Sequence, residues 1–150
     1  GGLPGMNVSY DAEAVAAIDD LLRAGRWETW LHARLQERGF TLHADPEMVV
    51  GHDKDFGIRE FIGQRYHYSR AYAGMRNPEL GWRRALYLAG SAALVPLMYA
   101  RIYRNVRASG RYGRELRAAS PLILLYTCVW AFGEAVGYAL GGGGSLHKVR

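Results

Sequence analysis

The spacing of apolar residues divides the chain into a stretch of short periodic segments followed by two long apolar runs. In the first stretch, Ala14, Val15, Ile18, Leu21 and Leu22 recur at three- and four-residue intervals. That period predicts a helix over residues 12–23, capped by Ser9 or Asp11. Trp27, Trp30, Leu31 and Leu35 repeat the pattern and predict a second helix, with Glu28 in its first turn and Gly39 as its stop. Residues 40–44 alternate apolar and polar, and residues 48–50 are a short apolar run. Both read as brief strands separated by the Asp45-Pro46 turn. Residues 56–75, dense in aromatics and arginine, read as an amphipathic helix that Asn77-Pro78 ends.

The pattern then changes. Residues 85–100 carry no charge and are flanked by Trp82, Arg83 and Arg84 on one side and by Arg101, Tyr103 and Arg104 on the other. Residues 121–144 carry one charge, Glu134. Aromatic and arginine anchors around apolar runs of this length predict membrane helices over 84–103 and 121–141, the first kinked at Pro96. A buried soluble hairpin is the alternative, but two such runs would leave a small domain little polar surface. Glu134 is costly in such a run, and between Gly133 and Gly137 it is expected either to pair with an arginine, with those of the other run as candidates, or to be protonated. The Gly141–Ser145 stretch, GGGGS, resembles a flexible linker and carries no functional weight.

Charge narrows the partners. The net charge is +5, and only Lys54 and Lys148 are lysines, so the excess is arginine. Six arginines against Glu115 lie in residues 101–117, between the apolar runs, which points to anionic lipid rather than nucleic acid. The positive-inside tendency places that loop in the cytoplasm. A complete hairpin then puts the preceding residues on the opposite side, unless the first run re-enters without crossing. Cys128 is the single cysteine, which excludes an intrachain disulfide and a cysteine-based metal site. The chain opens Gly1-Gly2-Leu3-Pro4 with no readable signal peptide, as expected of a piece of a longer protein.

Three polar sites stand out. Glu28 could serve as a general base, although a carboxylate at a helix start often only complements the helix dipole. His52 follows the second short strand and could ligate a metal or contact phosphate, with Asp53 and Asp55 beside it as possible oxygen ligands; a lone histidine is more often structural, and such an acidic turn is usually just solvated. Gln64, Arg65 and Tyr66 mix donors and rings on one helix, suited to phosphate, sugar or lipid headgroups. Walker, dinucleotide, HExxH and GxSxG motifs are absent.

In order, PGMNVSYDAEAV, GRWETWLHARLQERGFTLHADPEMVVGH and FIGQRYHYSRAYAGMR resemble the C-terminal part of a family 2 glycosyltransferase, the inverting GT-A type. A weaker echo lies in WAFGEAVGY. The resemblance covers about residues 3–76 and implies an α/β fragment, the acceptor-side half of a GT-A domain, followed by two transmembrane helices. It divides the chain at 1–55 (catalytic), 56–80 (interfacial helix) and 81–145 (membrane hairpin). It implies that Glu28 is the catalytic base, that His52 helps hold a divalent metal (Mg or Mn) in the parent protein, and that Gln64, Arg65 and Tyr66 lie near the substrates. The partners it implies are a nucleotide-sugar donor and a membrane-associated acceptor, at the inner cell membrane in a multi-pass protein with its catalytic part cytoplasmic. One acid stands where the family usually has two, Gln64-Arg65-Tyr66 lacks the QxxRW spacing of processive members, and the D-x-D half is missing. The isolated chain is therefore expected to be inactive. A non-enzymatic membrane-anchored scaffold is the rival expectation.

Overall fold

The computed structural model describes residues 8–45, 47–51 and 57–149. They contain helices and turns and no strand, so the expected α/β fragment is overturned. Residues 40–44 and 48–50 are irregular. Five residues of alternation supply no neighbour to complete a ladder; Phe40 packs on the helical core instead, and Val49 is 84% exposed. Two compact units divide the chain, Gly1–Lys54 and Asp55–Arg150.

The first unit holds α1 (Ala12–Ala17), α2 (Asp19–Arg23) and α3 (Glu28–Glu37). Asp11 is the cap of α1, accepting from the Ala14 N–H at 2.6 Å. The single helix expected over 12–23 is broken at Ile18, whose backbone leaves the helical region at φ −121° and ψ 14°. The break turns Ile18 fully into the core with Ala14, Leu31 and Leu35, while Val15 and Leu22 stay exposed. Arg38 donates to the Ala17 carbonyl and ties the end of α3 to α1. Gly39, at φ +86°, takes the left-handed conformation that ends α3.

The second unit holds α4 (Ile58–Leu80), α5 (Arg83–Gly90), α6 (Leu94–Ala108) and α7 (Gly113–Leu140), with 3₁₀ turns at Ser91–Ala93 and Gly143–Lys148. α4 runs through Asn77-Pro78 instead of stopping there. The bond that Pro78 forfeits is offset by its neighbours, since Asn77 donates to the Gly137 carbonyl at 2.9 Å and Arg76 to the Tyr138 hydroxyl at 3.0 Å. The 3₁₀ turn at Ser91–Ala93 sits just before Pro96, where the proline ring crowds the preceding turn, so α5 and α6 continue one another through an irregular joint. α7 begins at Gly113, eight residues before Pro121, which lies inside the helix.

Partner pairs give the directions of packing. Phe61 meets Tyr126, Tyr66 stacks on Phe132, and Arg76 meets Tyr138, so α4 and α7 run parallel. Arg84 donates to the carbonyls of Tyr138 and Ala139, and α6 lies farther down α7, so α5–α6 returns antiparallel. The α4–α7 contact is close. A Cβ on Gly137 would stand 2.5 Å from the Arg70 carbonyl oxygen, and one on Gly133 would overlap the Ser69 hydroxyl. Small residues let the two backbones meet. Beyond Gly141 the chain folds back along α4, Ser145 is 2% exposed, and the GGGGS stretch is packed structure rather than linker.

Two helical segments, Arg83–Ala108 and Gly113–Leu140, are long and apolar enough to cross a membrane.

Candidate functional site

The residues singled out from sequence do not converge. Glu28 is the first residue of α3 and half-buried. One turn on, His32 is 2% exposed, and its Nε2 lies 2.7 Å from the Tyr10 hydroxyl. Burial, and then the negative field of Glu28, push the Tyr10 hydroxyl above its ordinary range. Glu28, His32 and Tyr10 thus form one polar patch on the core of the first unit. Neither Tyr10 nor His32 was marked by the apolar period, although a histidine between Leu31 and Leu35 on the core face was the available signal.

Gln64, Arg65 and Tyr66 follow one another on α4 in the second unit. Arg65 donates to the Gln64 side-chain oxygen at 3.0 Å, and its guanidinium sits 5.5 Å from the Phe61 ring and 6.0 Å from Tyr68. Tyr66 instead stacks on Phe132 at 5.8 Å and meets His67 edge-on. The three serve two different sets of contacts along α7 rather than one binding point. His52, with Asp53 and Asp55, lies outside the described residues. Among the described residues no group of three His, Cys, Asp or Glu side chains could hold a metal ion.

The most concentrated polar chemistry surrounds Glu134. It is 7% exposed, and both carboxylate oxygens accept hydrogen bonds, Oε1 from Trp130 Nε1 at 2.7 Å and Oε2 from the Tyr138 hydroxyl at 3.1 Å. Trp130, Glu134 and Tyr138 stand four residues apart, so one face of α7 carries all three. Tyr138 in turn accepts from Arg76, which lies 4.6 Å from the Tyr87 ring and 5.6 Å from the Tyr72 ring. The arginine expected near Glu134 therefore comes from α4, not from the other apolar run, and it acts through a tyrosine. A cavity of about 400 Å³ opens beside the cluster, bordered by Glu134, Arg76, Tyr72, Tyr87 and Leu94.

A second polar junction fixes the end of the chain. Arg70 donates to the Gly141 carbonyl at 3.1 Å, and His67 Nδ1 lies 3.1 Å from the Ser145 hydroxyl. Burial, then the positive charges of Lys148 and Arg70, hold His67 below the ordinary histidine range. No family model, curated protein or solved structure matches the chain.

Proposed function

We propose that this chain is the membrane-attached portion of an inverting sugar transferase, held in the cytoplasmic membrane by Arg83–Ala108 and Gly113–Leu140. One observation carries the membrane half of this reading. The apolar window of Arg83–Ala108 is only 6% buried within the protein, against 33% for Gly113–Leu140. A core helix of a soluble protein buries most of its apolar surface, and an apolar helix this bare needs lipid around it. At about 1.5 Å per residue both segments exceed a hydrocarbon core of roughly 30 Å.

The sugar-transfer half is supported by the ordered resemblance of three stretches and by the place of Glu28, a half-exposed carboxylate opening α3. In the proposed reaction Glu28 takes the proton of the acceptor hydroxyl as that oxygen bonds to the anomeric carbon from the face opposite the leaving group. The bond from that carbon to the nucleoside diphosphate breaks, and the configuration inverts. The alternative, a membrane-anchored scaffold, is favoured by the first unit, whose described residues include no strand and so no sheet for a nucleotide.

Two experiments test the two halves. Membranes from cells making the chain are treated with a membrane-impermeant maleimide. Cys128, exposed on α7, should label only after detergent is added; immediate labelling would refute insertion. In the parent protein, Glu28→Gln should lower hexosyl transfer by at least about a hundredfold with donor binding unchanged. Undiminished turnover would remove Glu28 as base.

A further inference from the structure

We propose that the cavity between α4, α5 and α7 receives a phosphoethanolamine headgroup, its phosphate on Arg76 and its ammonium on Glu134. The cavity's about 400 Å³ lies within the range of small-ligand sites. Its wall presents one cation and one anion within a single network, because Arg76 and Glu134 are joined through the Tyr138 hydroxyl. A simple anion drawn to Arg76 would meet the Glu134 carboxylate, and a simple cation drawn to Glu134 would meet the guanidinium. A ligand carrying both charges satisfies both groups.

Hydrogen-bonding capacity points the same way. A guanidinium has five N–H donors, and here Tyr138 and Tyr87 engage part of that set, while the group itself borders the cavity. A carboxylate offers about four acceptor sites, and Trp130 and Tyr138 fill one on each oxygen. Tyr72 and Tyr87 hold the guanidinium between their rings, so the phosphate would meet an arginine already in place.

The apolar side of the cavity says where the rest of the ligand lies. Leu86 and Leu94 border it and belong to the Arg83–Ala108 segment, whose apolar window is only 6% buried. This step rests on the membrane reading above. With lipid around that segment, a headgroup in the cavity leaves its acyl chains along Leu86 and Leu94. Gly90, also on the wall, has open space where a Cβ would stand, which leaves the mouth wide.

The test uses the full chain purified in mild detergent, incubated with phosphatidylethanolamine or phosphatidylglycerol and read by native mass spectrometry. Phosphatidylethanolamine should be retained at least about tenfold better, the ratio expected of one charge-assisted hydrogen bond. Arg76→Gln should lose retention of both lipids, and Glu134→Gln should level them. Gly90→Leu should fill the mouth and lose the lipid while unfolding no more easily than the parent, so a binding loss is not a folding loss. Free phosphoethanolamine that competes would show that the headgroup is recognised alone, and failure to compete would show that the acyl chains are needed. Equal retention of the two lipids, or undiminished retention by Gly90→Leu, would overturn the inference. Flotation of the same preparations in liposomes reports insertion separately, so loss of lipid selectivity with intact flotation refutes this site and leaves the membrane reading standing.

Discussion

Replacing Gly137 by alanine tests whether α4 and α7 pack as closely as described. The added Cβ would stand 2.5 Å from the Arg70 carbonyl oxygen and 2.6 Å from the Ala73 Cβ. Carbon atoms pack comfortably at about 3.5–4.0 Å, so the helices must part by roughly 1 Å. Overpacking of this kind costs about 1–3 kcal/mol. Parting also stretches the Asn77 bond to the Gly137 carbonyl, now 2.9 Å. Against this, alanine is about 0.8–1.0 kcal/mol better than glycine inside a helix. Gly63, on α4, supplies the control, because a Cβ there meets nothing within 4 Å. Gly63→Ala gains the same propensity with no contact to disturb. The difference between the two variants therefore isolates the helix–helix contact at about 1–3 kcal/mol. The assay is reversible denaturation of the full chain in mild detergent, followed by far-ultraviolet circular dichroism. Gly63→Ala should unfold later than the parent, and Gly137→Ala earlier than Gly63→Ala by that margin. Equal shifts in the same direction would refute the packing register.

Two further outcomes follow from the caps and the C-terminal junction. Asp11→Ala removes the acceptor for the Ala14 N–H and should cost the first unit about 1 kcal/mol, while Asp11→Asn should restore most of it; equal losses in both would mean that the cap contributes nothing. His67 binds its proton more weakly folded than unfolded, so the unfolded chain gains protons first as pH falls. Stability should therefore be complete above the ordinary histidine value of about 6.5 and decline as pH falls below it, with Lys148 and Arg70 opposing the new charge. His67→Gln should flatten that part of the profile, and an unchanged slope in this variant would assign the decline elsewhere.

What the sequence made legible is what a 3.6-residue period encodes. The Leu31–Leu35 core face, the Asp11 cap and the two long apolar segments all emerge from local pattern. The strands did not, because a strand is completed by a neighbour and residues 40–44 and 48–50 carry no sign of whether one exists. Proline misled at Pro78, which sits inside a helix where bonds to α7 outweigh one lost hydrogen bond. Glu134 was legible as an anomaly, but its partners were not. Trp130 and Tyr138 could be counted along one helix face, whereas Arg76 lies far off in sequence and is reached only through the parallel packing of α4. The GGGGS stretch shows the limit of composition, since its fate is set by Arg70 and His67 on another helix.

Sidedness decides between the enzyme and the scaffold. Beyond the apolar parts of the two long helices, α6 continues to Ala108 and α7 starts at Gly113, a tip of about 12 Å at 1.5 Å per residue. It carries Arg101, Arg104, Arg107, Arg111, Arg114 and Arg117, all exposed, against Glu115. The positive-inside tendency predicts a cytoplasmic side for so dense a basic tip, where anionic headgroups contribute about 1 kcal/mol per arginine. A thiol placed at exposed Ser109, with Cys128 replaced by serine, should resist an impermeant maleimide added outside intact cells; labelling there would refute the assignment. The same reagent applied to a thiol at exposed Ser9 reports on the unit that holds Glu28. A nucleotide sugar made in the cytosol reaches Glu28 only if Ser9 is also protected. Labelling at Ser9 from outside would mean that the hairpin is complete, and the sugar-transfer role of Glu28 would be withdrawn in favour of the scaffold.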